Sequence, residues 1–150
     1  MTPSLLGPSE HLSWSELACH DNARTPYPVE WRADRAVSVA DNFEKVRQLL
    51  GGVAIVILSG YRTEAYNMTL EGAASKSQHV QGRALDIWHP NHEPKAIYLA
   101  LRLAQKDGRL PLLGGLGLYR SFVHMDVRPK SPPGHLATWA GAGVTLPEVP

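Results

Sequence analysis

Ser77-Gln78-His79-Val80-Gln81-Gly82-Arg83-Ala84-Leu85-Asp86-Ile87-Trp88 places an imidazole on a loop and a carboxylate inside a strand, with a glycine between them where the chain turns. Ala84–Trp88 reads as the strand, short and bounded by polar residues. A buried strand resists an aspartate, because an unpaired carboxylate away from water is costly. Asp86 therefore requires a partner. A salt bridge to Arg83 or Arg62 would supply one, and so would a metal ion; the segment alone leaves both open.

A second stretch, Phe122-Val123-His124-Met125-Asp126-Val127-Arg128, has the alternation of a strand. Val123, Met125 and Val127 point to a core, so Phe122, His124, Asp126 and Arg128 share the opposite face. On its own that face could simply meet solvent. Taken with the first stretch, it brings two histidines and one or two aspartates onto neighbouring strands. Two imidazoles and a carboxylate leave one tetrahedral position open for water, the arrangement of catalytic rather than structural zinc. Asp126, two residues beyond His124 on the same face, is the best-placed proton acceptor in the sequence. A third piece, Leu58-Ser59-Gly60-Tyr61-Arg62-Thr63, ends another strand on an arginine. Arg62 can grip a carboxylate through its planar fork, or can be the structural partner of Asp86.

Outward from these pieces the elements alternate irregularly. From Asp34 the apolar residues Ala36, Val39, Ala40, Phe43, Val46 and Leu50 recur at helical steps until Gly51-Gly52. Val53–Leu58 predicts a buried strand, and 62–76 a polar loop or short helix. Pro94 opens a helix with the stripe Ile97, Ala100, Leu101 and Ala104, ending near Gly108. Gly114-Gly115-Leu116-Gly117 predicts a turn into the strand Phe122–Val127. Residues 1–30, broken by Pro3, Pro8, Pro26 and Pro28, form an irregular layer with one helical turn at Leu12–Leu17. The Pro- and Gly-rich tail, 129–150, is expected to wrap the surface. Strands and helices mix without a βαβ rhythm, which predicts α+β.

Composition bounds the function. The 150 residues suit one domain with one core, 1–150. A formal charge of +1 without a Lys/Arg cluster argues against a general nucleic-acid partner. Cys19 is the only cysteine, so a metal site here must use His, Asp or Glu, and Cys19 itself reads as a small buried hydrophobe. No stretch is long enough to insert in a membrane. Met1–Pro8 lacks the basic start and apolar stretch of a signal peptide, so a cytoplasmic product is expected. His89, His92, His11, His20 and His135 read as loop or surface residues, and Trp139 as tail packing or a groove wall.

Together, Ser59-Gly60-Tyr61-Arg62 with Asn67, Ser77-x-His79-x-x-Gly82-x-Ala84-x-Asp86-Ile87, and Gly117-x-Tyr119 with Phe122-Val123-His124-x-Asp126 resemble the zinc D-alanyl-D-alanine peptidases. That family includes carboxypeptidases, murein endopeptidases and phage endolysins, and shares its fold with the Hedgehog signalling domain. Leu12–Cys19 looks like its usual opening, so the resemblance runs from about residue 10 to 129. It implies a small antiparallel sheet flanked by helices, and zinc (Zn2+) held by His79, Asp86 and His124. By the same match Arg62 orients substrate and Ser77 stands at the edge of the site. One position departs: several members carry a catalytic Glu or Asp three residues before the last ligand, where this chain has Ser121. Either Asp126 is the base or the site is catalytically weak. The implied activity is hydrolysis of peptidoglycan peptide bonds by a monomer. With no signal peptide, it would be released to the wall in phage lysis or delivered on a virion. The alternative is a non-catalytic Hedgehog-like zinc module that binds cell wall or a protein partner.

Overall fold

The three-and-four spacing after Asp34 folds as helix α2, Arg35–Leu49, with Asp34 as its N-cap. It buries Ala36, Val39, Ala40, Phe43 and Val46. The computed structural model describes residues 4–70 and 72–149. Residues 1–3 of the expected N-terminal layer, Glu71 of the loop before Lys76, and Pro150 of the tail lie outside the described residues. Ahead of α2 come a capped turn of helix, α1 (Trp14–Leu17), and a 3-10 turn at Val29–Trp31. α3 (Glu64–Thr69) follows the arginine segment, and α4 (Pro94–Lys106) begins at its proline and buries Ile97, Tyr98, Leu101 and Ala104.

Five strands make one sheet: β1 (Val56–Ser59), β2 (Ala84–Trp88), β3 (Gly115–Leu118), β4 (Val123–Asp126) and β5 (Ala137–Ala140), in the order β1-β2-β4-β3-β5. The fold is α+β. Leu85, Ile87, Leu116, Leu118, Val123 and Met125 turn one face of the sheet into a core shared with α2 and α4. Alternation turns Asp86, His124 and Asp126 to the other face.

Three expectations change in detail. The sheet is mixed, because β5 runs parallel to β3. That strand comes from the tail expected to wrap the surface; the tail instead pairs with β3, whose outer edge is otherwise free. The apolar run at Val53–Leu58 becomes strand only from Val56, and at the sheet edge rather than in its interior. An edge strand has one neighbour, so Val56 and Leu58 stay exposed while Ile55 is buried. Gly115-Leu116-Gly117 is strand rather than turn, and the reason is steric. A Cβ on Gly115 would run into the Asp126 carboxylate, and one on Gly117 into the Trp139 indole. Both glycines face the polar side of the sheet, where those groups already occupy the space.

Register then aligns one row of residues across all five strands: Ser59, Asp86, His124, Gly117 and Trp139. The neighbouring row is Ala84, Asp126, Gly115 and Ala137.

Gly117→Ala tests that fit. Overpacking of this kind costs about 1–3 kcal/mol, so chemical denaturation should show a lowered midpoint with an unchanged slope.

Candidate metal centre

Asp86 and His124 face each other directly across β2 and β4. His79 reaches them from the preceding loop, which is wound tightly enough to return over the sheet. Gly82 N–H donates to the His79 carbonyl and Arg83 N–H to that of Gln78. Gly82 takes φ +70°, a left-handed conformation that favours glycine, and the Trp31 ring occupies the place of its missing Cβ. Tyr27 fixes the turn by donating its hydroxyl to the Gly82 carbonyl at 2.6 Å.

Three atoms converge. Asp86 Oδ1 stands 3.1 Å from His79 Nε2 and 3.2 Å from His124 Nδ1, with all three ligand atoms within 4.8 Å of one another. Ligands about 2.0–2.1 Å from a tetrahedral zinc lie ~3.3 Å apart, so the donor set fits the ion. The second nitrogen of each ring is already fixed. His79 Nδ1–H donates to the Gly60 carbonyl at 2.7 Å, which leaves Nε2 for a metal. His124 Nε2–H donates to Asp126 Oδ2 at 2.7 Å, which leaves Nδ1. Hydrogen bonds of this sort set the tautomer and aim the ligand. Gly60 can offer its carbonyl because it packs against the Leu17 backbone, where a Cβ would clash. The α1 turn thereby supports the first ligand.

Electrostatics favour the ligating form at His79 and Asp86. Burial pulls His79 below its ordinary pKa, keeping it in the neutral form a metal needs. Burial alone would raise Asp86, yet His79 and His124 outweigh it and hold the carboxyl far below the usual range. Burial opposes protonation of His124, but the hydrogen bonds to Asp126 and Asp86 prevail and raise its pKa.

Arg62 is the structural partner of Asp86. Its Nη2 donates to Asp86 Oδ2 at 3.2 Å, Nε to Ser59 Oγ at 3.2 Å and Nη1 to Asn67 Oδ1 at 3.3 Å. The salt bridge proposed for Asp86 therefore exists beside the donor set, on the oxygen that the histidines do not approach. The guanidinium also lines the cleft above the site. Ser77, buried at the cleft wall, accepts the His79 N–H at 3.2 Å.

Asp126 is placed differently from the base that its sequence position suggested. Its side chain is fully buried behind the His124 ring. Besides His124, Oδ2 takes Arg128 Nη2 at 2.6 Å, while Oδ1 takes the Arg128 Nε at 2.8 Å and its backbone N–H at 3.1 Å. Burial would raise its pKa, but Arg128 and His124 bring it down to about 2. With both oxygens engaged, Asp126 aims His124 and has none free for substrate. Its strand position is legible in the sequence; that the arginine two residues on folds back to saturate it is not.

Trp139 also joins the site. Its ring lies 4.9 Å from that of His124, and Nε1–H donates to Tyr119 Oη at 2.9 Å. His89, expected as a plain loop residue, is buried and accepts the Asn91 N–H on Nδ1 at 3.0 Å, away from the cleft.

His79, Asp86 and His124 line a cleft of about 1010 Å3 and lie close enough together to form a possible metal site. The chain belongs to the Peptidase M15 family, the zinc D-alanyl-D-alanine peptidases, whose profile matches residues 10–126. It is accordingly a metallopeptidase by family. No curated protein matches the chain. No helix among the described residues is long and apolar enough to cross a membrane.

Ligand and support separate by titration against a competing chelator. His79→Ala, Asp86→Ala and His124→Ala should each abolish stoichiometric zinc binding. Asp126→Asn should weaken it by about 10–100-fold while keeping one zinc per chain. Affinity equal to the native protein's would remove Asp126 from its positioning role.

The Asp126 carboxyl also predicts acid sensitivity. Its folded pKa, about 2, lies below the ordinary 3.8. Its stabilising contribution is complete above the ordinary value and lost as pH falls toward the folded one. Thermal unfolding of the metal-free protein should shift down over that window, and less so in Asp126→Asn.

Proposed function

We propose that this protein hydrolyses peptide bonds in bacterial peptidoglycan, cutting the cross-link between D-alanine and the neighbouring diamino acid. The observation that carries the reading is the donor set on the floor of a cleft that extends past it. Residues 72–74 and 76–78 line it, and so do 119–122 and 139–142 on separate segments, so substrate chain can lie on both sides of the donor set. A terminal D-alanine needs less room. A bound zinc supplies Lewis acidity there, polarising a peptide carbonyl and making water a competent nucleophile near neutral pH.

The chain's own residues orient and stabilise. Arg62, held by Ser59, Asn67 and Asp86, keeps N–H donors beyond those three bonds to direct at a substrate oxygen. Ser77 fixes the backbone of the first ligand, and Asp126 with Arg128 fixes the ring of the last. Asp86 is the only Asp or Glu among the described residues lining the cleft, so none of those residues supplies the second carboxylate that several family members carry at the position of Ser121. This favours, as second reading, a zinc module that binds the wall without cutting it. Because the substrate lies outside the cytoplasmic membrane, the setting we propose is lytic: release by a phage from within, or delivery on a virion.

Purified zinc-loaded protein incubated with sacculi should convert cross-linked muropeptide dimers to monomers, read by mass spectrometry, and a chelator should stop it. Loss of a terminal D-alanine alone would identify a carboxypeptidase. Intact muropeptides from several wall chemotypes would favour the binding module.

A further inference from the structure

The cleft is far more basic than the protein. The whole chain carries 15 Lys and Arg against 14 Asp and Glu, yet among the described residues Arg62, Lys76, Arg120 and Arg128 line the cleft with Asp86 as their only acidic neighbour there. Two of the four are committed. Arg62 pairs with Asp86, and Arg128 with Asp126. Lys76 and Arg120 have no hydrogen-bond or ion-pair partner among the described residues.

Arg120 is nevertheless held in place, and the loop that carries Lys76 is anchored. Arg120 lies in the turn joining β3 to β4, and its guanidinium rests on Gly143, where a Cβ would strike Nη2. Gly143 has φ +74°, so glycine suits that backbone as well as that contact. The adjoining Gly141 leaves space for the Tyr119 ring in the same way. Lys76 sits in the loop before His79, on a separate segment. That loop is tied down at Ala74, whose carbonyl accepts Asn67 Nδ2–H at 2.8 Å and the Ser77 N–H at 3.2 Å.

We propose that Arg120 binds a free carboxylate of the peptide substrate and that Lys76 strengthens the site as a second cation. The selected substrate class is then an anionic peptide. The proposal deepens the reading of this cleft as a substrate site and rests on it. An arginine fork matches a carboxylate with two parallel hydrogen bonds, whereas a lysine acts as a point charge. Two cations without a partner among the described residues, set in a concave site, also attract an anion before contact. A neutral peptide would leave both without a counter-charge.

The test measures binding rather than turnover. Metal-free protein is titrated calorimetrically with N-acetyl-L-Ala-D-Glu-L-Lys-D-Ala-D-Ala and with the same peptide carrying carboxamides for its carboxylates. The acid form should bind about tenfold tighter or more, as expected for a charge-assisted hydrogen bond. Arg120→Gln should abolish most of that preference, Arg120→Lys should restore part of it, and Lys76→Gln should reduce it. Unchanged unfolding midpoints in the variants would show that the site, not the fold, was altered. Equal binding of the two peptides, or no binding of either, would overturn the proposal, as would a preference that survives Arg120→Gln. The two readings fail separately. Acid-selective binding by a protein that leaves sacculi intact refutes hydrolysis alone; hydrolysis without acid preference refutes the carboxylate site alone.

Discussion

Asp86 is a carboxylate in the interior strand of a sheet, 6% exposed, and every neighbouring element answers that fact. Left alone it would be destabilising, because its charge is stripped of water. Oδ2 is answered by Arg62 at the end of β1, and Oδ1 by two imidazoles from a loop and from β4. The β1–β2–β4 order of the sheet is what lets an arginine, an aspartate and a histidine meet, since each stands on or beside an adjacent strand. In a different strand order the same residues would be distant, and Asp86 would be an unpaired buried charge.

Support extends outward from that point in layers. The Gly60 carbonyl holds His79, and Gly60 is pressed in turn against Leu17 of α1. Asp126 holds His124, and Arg128 holds Asp126. Gly115 and Gly117 leave room for the carboxylate and for Trp139. These contacts account for features unrelated to the core: a helical turn at the N-terminus, glycines inside a strand, and a tail that returns as β5. Hydrogen bonds from these outer groups orient the ligand side chains.

Local pattern was enough to read the parts governed by periodicity. The helices at Arg35–Leu49 and Pro94–Lys106 and the strand Ala84–Trp88 follow from apolar spacing and from Pro and Gly at their ends. The convergence of His79, Asp86 and His124 was legible from segment order and from resemblance. What escaped was set by partners distant in sequence. Gly115–Leu118 looks like a turn until Asp126 and Trp139 are placed against it. Val53–Leu58 looks like an interior strand because edge position depends on sheet order, which composition does not encode. Asp126 looks like a free base until Arg128 folds back onto it. Lys76 and Arg120 carry no motif, and only the cleft brings them to one surface.

The charge arrangement links these layers to chemistry. Each buried carboxylate near the site is matched by an arginine, Asp86 by Arg62 and Asp126 by Arg128. The carboxylate charge of the donor set is thus already balanced by protein before any ion arrives. The charge of a bound dication would then remain largely uncompensated and would face the cleft, adding to Lys76 and Arg120. Such a field would stabilise negative charge on a carbonyl oxygen held there, and a low-dielectric wall would increase its effect. It also disfavours a cationic substrate and rewards an anionic one. A second carboxylate at position 121 would offset part of that field while offering a proton acceptor. Ser121 offers neither, so on the reading proposed above this cleft would favour binding and polarising an anionic peptide over moving its protons.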